Sequence, residues 1–344
     1  MDKNDIKSLN LEELTALVKE WGEPAFRAGQ IFKWLQQGVD SYDEMTDIPQ
    51  KLRDKMANSY NIVTIKCKKR LESTIDDTVK YLYEMHDGEL VESVLMKYNH
   101  GYSICISTQV GCRMGCSFCA SGLNGLTRSL LPSEMLGQIT ATQRDRGIRI
   151  SNVVLMGMGE PLDNFDNVVR FLELVSHEKG LNIGLRHISL STSGVVPGIY
   201  KLAECRFPIT LSISLHAPND EIRSSMMKVN KRWNVAELIK ACKDYIKVTG
   251  RRISFEYAVI SGVNDSDECA RQLSKLLKGM LCHVNLIPAN PVKENSYKKP
   301  DRETIQRFCD KLNAYGINTT IRRTLGADID ASCGQLRGRE IENG

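Results

Sequence analysis

The chain has 344 residues, 42% of them hydrophobic and 26% charged, with a formal net charge of +4. This is the balance of an ordinary soluble globular protein, long enough for about two domains or one large α/β domain with an appendage. The charged start Met1-Asp2-Lys3-Asn4-Asp5 precedes no apolar run and no stretch reaches membrane-spanning length, so neither a signal peptide nor a membrane span is expected.

Residues 1–60 read as a small helical domain. Asn10 is a helix N-cap ahead of Leu11, Leu14, Leu17 and Val18 at helical spacing, and Gly22 ends the run. Pro24 starts a second helix with Phe26, Ile31, Trp34 and Leu35 on one face, closed by Gly38, and a third follows Pro49 with Leu52 and Met56. These helices either grip RNA or pack on the neighbouring domain.

Residues 61–102 change to a strand pattern, a β-hairpin extension. Val79–Met85 and Leu90–Met96 flank His86-Asp87-Gly88-Glu89, and Asp-Gly between such runs signals a hairpin. Period-two alternation puts Glu92 on the face of Val94 and Met96. A carboxylate there is either an exposed edge residue or a buried group with a raised pKa, a candidate base.

The stretch Cys105–Cys119 follows. Within it Cys112, Cys116 and Cys119 form a C-x3-C-x2-C triplet on a loop with Gly111 and Gly115. A [4Fe–4S] cluster held by three cysteines keeps one iron free for another ligand. This spacing is the one used by radical S-adenosylmethionine (SAM) enzymes, where SAM binds the free iron. The alternative is a structural zinc, but that needs four ligands, usually as two separated pairs, and the chain has no second C-x2-C pair.

Beyond the loop, strands and helices alternate. Strands are expected at Ile104–Thr108, Asn152–Met156, His187–Ser191, Ile209–Leu215, Ile253–Ile260 and Val284–Pro288, with helices near Ser133–Arg146, Phe165–Glu178, Val235–Lys247, Asp267–Lys278 and Arg302–Tyr315. Repeated βα units imply a parallel sheet, and six are too few for a closed barrel. The fold class is therefore α/β: an open, partial (β/α)6 barrel over residues 103–318. A C-terminal segment spans 319–344.

Five polar motifs fall at C-terminal strand ends, the functional rim of β/α barrels. They are the cysteine loop, Met156–Pro161, Ser191–Gly194, Ser214–Pro218 and Asn290-Pro291. Gly157 and Gly159 allow backbone to approach a ligand closely, and Glu160 offers a carboxylate to an ammonium group. Ser191, Ser214 and Asn290 are hydrogen-bonding candidates for a ribose or carboxylate. His216 either contacts the ligand or is structural.

Eleven cysteines, an odd number without an export signal, point to reduced thiols and a cytoplasmic location. Cys105 lies on the first barrel strand and Cys333 in the polar run Asp328–Gln335, whereas Cys67, Cys205, Cys242, Cys269, Cys282 and Cys309 read as core or incidental thiols. Residues 1–60 hold eight Lys/Arg against eleven Asp/Glu, so the remainder is basic. Its clusters include Lys66-Lys68-Lys69-Arg70, Arg144-Arg146-Arg149, Lys228-Lys231-Arg232, Arg251-Arg252, Lys293-Lys298-Lys299, Arg322-Arg323 and Arg337-Arg339. They are either phosphate-binding groups or a solvated surface.

Phe26-Arg27 through Gln30–Phe32, Val91–Val94, Cys105–Cys119, Met156–Leu162, Ser191–Pro197, Ser214–Asp220, Val284–Pro291 and Asp328–Leu336 together resemble the RlmN family. These are dual-specificity adenine C2-methyltransferases of 23S rRNA and tRNA within the radical SAM superfamily. The resemblance spans nearly the whole chain. It implies a [4Fe–4S] cluster on Cys112, Cys116 and Cys119, and SAM contacts at Gly159, Glu160, Ser191, Ser214, Leu215, His216 and Asn290. It implies that Cys333 is methylated by a first SAM, and that a second SAM activates that methyl to add to C2. Glu92 is then the proton acceptor, and Cys105 the resolving thiol that forms a transient disulfide with Cys333. The implied partners are 23S rRNA, tRNA and an electron donor such as flavodoxin or ferredoxin, with no membrane and a monomeric enzyme.

Two other readings compete. The related Cfr-type enzymes methylate C8 of the same ribosomal adenosine. Gly159-Glu-Pro-Leu162, where that group has Gly-Glu-Ala-Leu, and His216-Ala-Pro218, where it has His-Ser-Pro, favour C2. A non-catalytic RNA-binding protein with a structural metal leaves the five rim motifs unexplained.

Overall fold

The structure, a computed structural model, describes residues 4–289, 297–331 and 335. Three helices, α1 (Leu11–Glu20), α2 (Phe26–Gln36) and α3 (Gln50–Ser59), build the N-terminal part. At the start of α1, Glu13 N donates to Asn10 Oδ1 and Asn10 N to Glu13 Oε2, both at 2.8 Å, a reciprocal cap. Leu14, Val18, Ile31, Phe32, Leu35, Leu52 and Met56 are buried, so the three apolar faces share one core. A parallel pair, β1 (Asn4–Asp5) with β2 (Tyr60–Asn61), ties the two ends of this unit together.

A ten-stranded sheet carries the rest. Strands β3 (Lys66–Glu72), β4 (Val79–Glu84), β5 (Leu90–Tyr98) and β6 (Gly101–Cys105) are successively antiparallel. After a separate ribbon of β7 (Gln109–Gly111) and β8 (Leu126–Ser129), the chain adds β9 (Ile150–Leu155), β10 (Ile188–Thr192), β11 (Thr210–Ser214), β12 (Ile253–Val259), β13 (Cys282–Pro288) and β14 (Thr319–Ile321). These run parallel to β6 and to one another, an open partial barrel of six βα units closed by β14 as a short edge strand. The connecting helices are α4 (Pro132–Arg146), α5 (Phe165–Ser176), α6 (Val196–Cys205), α7 (Asp220–Met226), α8 (Val235–Thr249), α9 (Asp267–Leu277) and α10 (Arg302–Ala314). No helix among the described residues is long and apolar enough to cross a membrane.

Two features depart from expectation. The first barrel strand ends at Cys105 rather than Thr108, because Thr108 N donates to Met158 O at 2.8 Å and Ile106 O accepts from Gly157 N at 3.1 Å. Those residues thus join the loop after β9. Helices α6 and α7 were not expected. Pro197 lies in the first turn of α6, where a missing N–H costs nothing. The β4–β5 hairpin of the extension continues the barrel sheet, since β5 pairs with β6, Val94 opposite Cys105.

The two sheet faces differ in chemistry. Leu155, Leu190, Leu211, Ile213, Phe255, Val284 and Leu286 are at most 1% exposed and form the core beneath the helices. On the inner face, register sets Ser191 beside Ser212, Ser212 beside Ser254, Ser214 beside Glu256, Glu256 beside Asn285 and Asn285 beside Thr320. A polar lumen results.

Candidate active site

A cavity of about 170 Å³ lies at the C-terminal ends of the parallel strands. The cysteine loop reaches it from the β7–β8 ribbon, whose register pairs Gln109 with Ser129 and Val110 with Arg128. Cys112 N donates to Gly125 O at 2.8 Å. The tip of the loop is fixed from the other side. Ser117 N donates to Met226 O at 2.9 Å, and Met114, Cys116 and Phe118 pack on Met226, Met227 and Val229.

Cys112, Cys116 and Cys119 all border the cavity. Burial pushes the Cys112 thiol up to about 12, against a hydrogen bond with the Met114 backbone, with the charges of Glu160, Cys119 and Asp163 adding to the rise. Cys116 is also pushed up, by burial first and then by Cys119 and Cys112. Three thiolates in one space repel one another, and a cationic metal centre is the group that relieves them. Among the described residues no three His, Cys, Asp or Glu side chains gather closely enough for a single metal ion. The thiols line a wider space, a donor set that fits an iron–sulfur cluster with three cysteine ligands.

Glu160 is fixed on the cavity wall. Its Oε1 accepts from Leu162 N at 3.0 Å and its Oε2 from Ser193 N at 2.7 Å. Burial raises its pKa, while these hydrogen bonds oppose the rise. Gly157 and Gly159 also border the cavity, but their smallness serves the protein first. A Cβ on Gly157 would stand 2.6 Å from Ile106 O, and one on Gly159 2.6 Å from Gln109 Cβ. The strand that feeds the cysteine loop passes directly beneath them.

Ser191 Oγ and Ser214 Oγ lie 3.4 Å apart on the cavity wall. His216, at φ +56°, accepts from Ala258 N through Nδ1 at 2.9 Å, which leaves its proton on Nε2. Burial, with Arg223 adding, pulls its pKa down to about 3. The ring is therefore a neutral donor, held edge-on to Phe118 with centroids 4.8 Å apart. Leu215 is fully buried in the core and does not line the cavity; its N donates to Glu256 O at 3.1 Å. Asn290 and Cys333 lie outside the described residues.

Glu92 is 2% exposed, so it is buried and not an exposed edge residue. It has a cation beside it, Lys80 Nζ at 2.8 Å. Cys105 is 7% exposed and opposite Val94, which puts it on the same sheet face as Glu92. No disulfide joins the ten cysteines described.

Several site residues escaped sequence reasoning. Arg223 of α7 is fully buried and donates to the carbonyls of Leu215 (3.1 Å), Ser193 (2.6 Å) and Ser214 (3.2 Å) and to Asn230 Oδ1 (2.9 Å). Burial pulls its pKa down to about 10. Nothing in Asp220-Glu-Ile-Arg-Ser-Ser-Met226 distinguishes it from a surface arginine. Glu256 lines the cavity and accepts from Ser254 Oγ and Asn285 Nδ2, both at 2.9 Å. Its signal was the Ser-x-Glu alternation in β12. Arg322, just after β14, completes the wall.

Residues 106–273 match the model of the radical SAM superfamily, and residues 4–62 match the ribosomal RNA large subunit methyltransferase N-terminal domain. A probable dual-specificity RNA methyltransferase RlmN from Alkaliphilus oremlandii is 55% identical over 343 residues, 100% of both chains. Its counterpart of the same name from Clostridium acetobutylicum is 52% identical over 338 residues, 98% of each. The crystal structure of a radical SAM methyltransferase from Sphaerobacter thermophilus is 44% identical and matches with a TM-score of 0.93, over 98% of this chain and 100% of that one.

Proposed function

The chain belongs to the RlmN family of radical SAM RNA methyltransferases, and from that premise we propose that it methylates C2 of one adenosine in 23S rRNA and of an adenosine in the tRNA anticodon loop. The observation that carries this reading is the convergence of three thiols, the Glu160 carboxylate and the Ser191 and Ser214 hydroxyls on one cavity. Cys112, Cys116 and Cys119 would hold a [4Fe–4S] cluster, which when bound supplies the electron that cleaves SAM. Glu160 and the backbone of Gly159 would hold the amino-acid end of SAM, and Ser191, Ser214, His216 Nε2–H, Leu215 and Asn290 would hold the remainder.

C2 of adenine lies between two ring nitrogens and is not nucleophilic, so the methyl must arrive on a protein group. Cys333 accepts it from one SAM, and a second SAM is consumed in activating it. Glu92 takes the C2 proton from the adduct. Cys105 then bonds to the sulfur of Cys333 as the C–S bond breaks, and the released carbon takes up a proton to become the methyl group of the RNA. The adduct's unpaired electron passes to the electron-transfer chain, and a thiol reductant later reduces the disulfide. The electron comes from a donor such as flavodoxin or ferredoxin, and the enzyme works as a cytoplasmic monomer.

Nucleoside mass spectrometry on rRNA and tRNA from a methyltransferase-deficient host expressing the chain tests this. Chromatography that resolves 2-methyladenosine from 8-methyladenosine should find the 2-isomer in both RNAs. The 8-isomer, or neither, would sink the C2 assignment.

A further inference from the structure

The reaction above does not require a lysine beside Glu92, yet one is buried there. Lys80 is 4% exposed. Its Nζ lies 2.8 Å from Glu92 Oε2 and donates to the carbonyl oxygen of Asp330 at 3.2 Å. In the β4–β5 register Lys80 is opposite Val94, which sets it on the sheet face of Glu92 and Cys105. Asp330 stands three residues ahead of Cys333 in the chain. A single ammonium therefore touches both the carboxylate and the segment that leads to the methyl-accepting cysteine.

That segment has a built seat. Asp328 Oδ1 accepts from Ser73 Oγ at 2.7 Å, and its Oδ2 from Thr74 N at 2.8 Å and Thr74 Oγ1 at 3.1 Å. Gly326 N donates to Asp76 Oδ2 at 3.0 Å, and Ala331 N donates to Gly326 O at 3.0 Å. Gly326 itself, at φ +59°, fits against Thr78 with no room for a Cβ, which would stand 2.8 Å from Thr78 Cγ2. Past Cys333, Gln335 Nε2 donates back to Asp330 Oδ1 at 3.2 Å. The β3–β4 turn, residues 73–78, thus holds the described chain on the near side of Cys333, and Asp330 ties it to the far side.

We infer that Lys80 is a positioning residue: its buried ammonium fixes the spacing between the proton acceptor Glu92 and residues 326–331, which lead to Cys333 in the chain, with the β3–β4 turn as the seat of those residues. The roles of Glu92 and Cys333 rest on the reading under Proposed function; the contacts of Lys80 do not. A buried ammonium is tolerated only when paired and hydrogen-bonded, and these two partners meet that need. Deleting it frees the Asp330 carbonyl and leaves Glu92 without its cation.

The test uses full-length, cluster-loaded protein carrying Lys80→Met, Lys80→Arg or Asp328→Ala. It combines hydrogen exchange with turnover on tRNA. Lys80→Met should speed exchange at residues 326–331 by about tenfold or more, with α8 and iron content unchanged. It should slow 2-methyladenosine formation by about 100-fold in kcat with little change in KM for tRNA. Lys80→Arg, which keeps the charge, should recover at least about a tenth of wild-type kcat, a rescue that a purely structural lysine would not predict. Unchanged exchange at 326–331, or Lys80→Met turnover within about twofold of wild type, overturns the inference. Should Lys80→Met fail to fold, Asp328→Ala decides: faster exchange in the same segment with reduced kcat supports the seat, and wild-type behaviour in both overturns it. If wild-type protein makes no methyladenosine, the functional reading falls, while the exchange measurement still tests the Lys80 contacts.

Discussion

A methyl group at Gly157 would lie 2.6 Å from Ile106 O and 2.7 Å from Ile106 C, both backbone atoms that cannot swing aside. Gly157→Ala should therefore push the chain entering the cysteine loop out of place, at a cost of about 1–3 kcal/mol. Lower iron occupancy after reconstitution, with the helices intact by circular dichroism, is the expected result. His216 makes a different prediction. Its value near 3 lies below its ordinary 6.5, so on lowering the pH the unfolded chain takes up a proton before the folded one does. Its contribution to stability is complete above pH 6.5 and drains as the pH falls toward 3, by about 2 kcal/mol between pH 6.5 and pH 5. Denaturant titrations of cluster-free protein should show this loss in wild type and a flatter profile in His216→Gln.

Among the elements, α7 is the one whose position matters beyond its length. Asn219 caps it through Ile222 N at 3.0 Å, and this directs Arg223 inward. The guanidinium then ties the C-terminal ends of β10 and β11 together through the carbonyls of Ser193, Ser214 and Leu215, beside the strand residues Ser191 and Ser214. Arg223→Met would strand these buried acceptors at about 1–3 kcal/mol each, partly relieved by relaxation. We expect a loss of roughly 3 kcal/mol or more in urea unfolding and weaker SAM binding by calorimetry. The ribbon of β7 and β8 does the corresponding work for the cysteine loop. Neither element stood out beforehand. β7 is three residues long and β8 four, too short for a periodic signal, and the Pro-Gly start of α6 and the charges of α7 resemble loop composition.

On the scale of the molecule, several of the basic clusters turn out to serve the fold. Arg70 pairs with Asp145 at 2.9 Å, Arg146 with Glu72 at 2.8 Å and Arg144 with Asp40 at 3.2 Å, which joins the antiparallel strands and the helical unit to α4. Lys228, Lys231 and Arg232 are exposed beside the cysteine loop, where the Lys228 side chain covers Gly115, its Cδ 3.2 Å from the position of a Cβ there. These three are the better candidates for phosphate contacts. Replacing all three with alanine should reduce the slope of log K against log salt for tRNA by about 2–3. A slope equal to that of wild type would remove this patch from the RNA surface.

The order of elements was readable from local chemistry. The Asn10 cap with Glu13, the glycines after α1 and α2, the Asp87-Gly88 hairpin and six βα repeats are all short-range signals, set by backbone conformation and side-chain period. The cysteine triplet likewise declares its chemistry through spacing alone. The inner polar face was also present in Ser189-Leu-Ser191 and Ser212-Ile-Ser214, although only register shows that these serines meet across strands. What tertiary structure decided is the company of buried charges. Glu92 could be exposed or buried as far as its strand pattern was concerned, and the partner that makes burial tolerable, Lys80, comes from another strand at a register the sequence does not print. Arg223 finds its carbonyls, and the C-terminal segment finds the β3–β4 turn across about 250 residues of chain, because desolvated groups must be paired wherever folding brings them. Pairing at that distance is a property of the folded chain, and no local pattern encodes it.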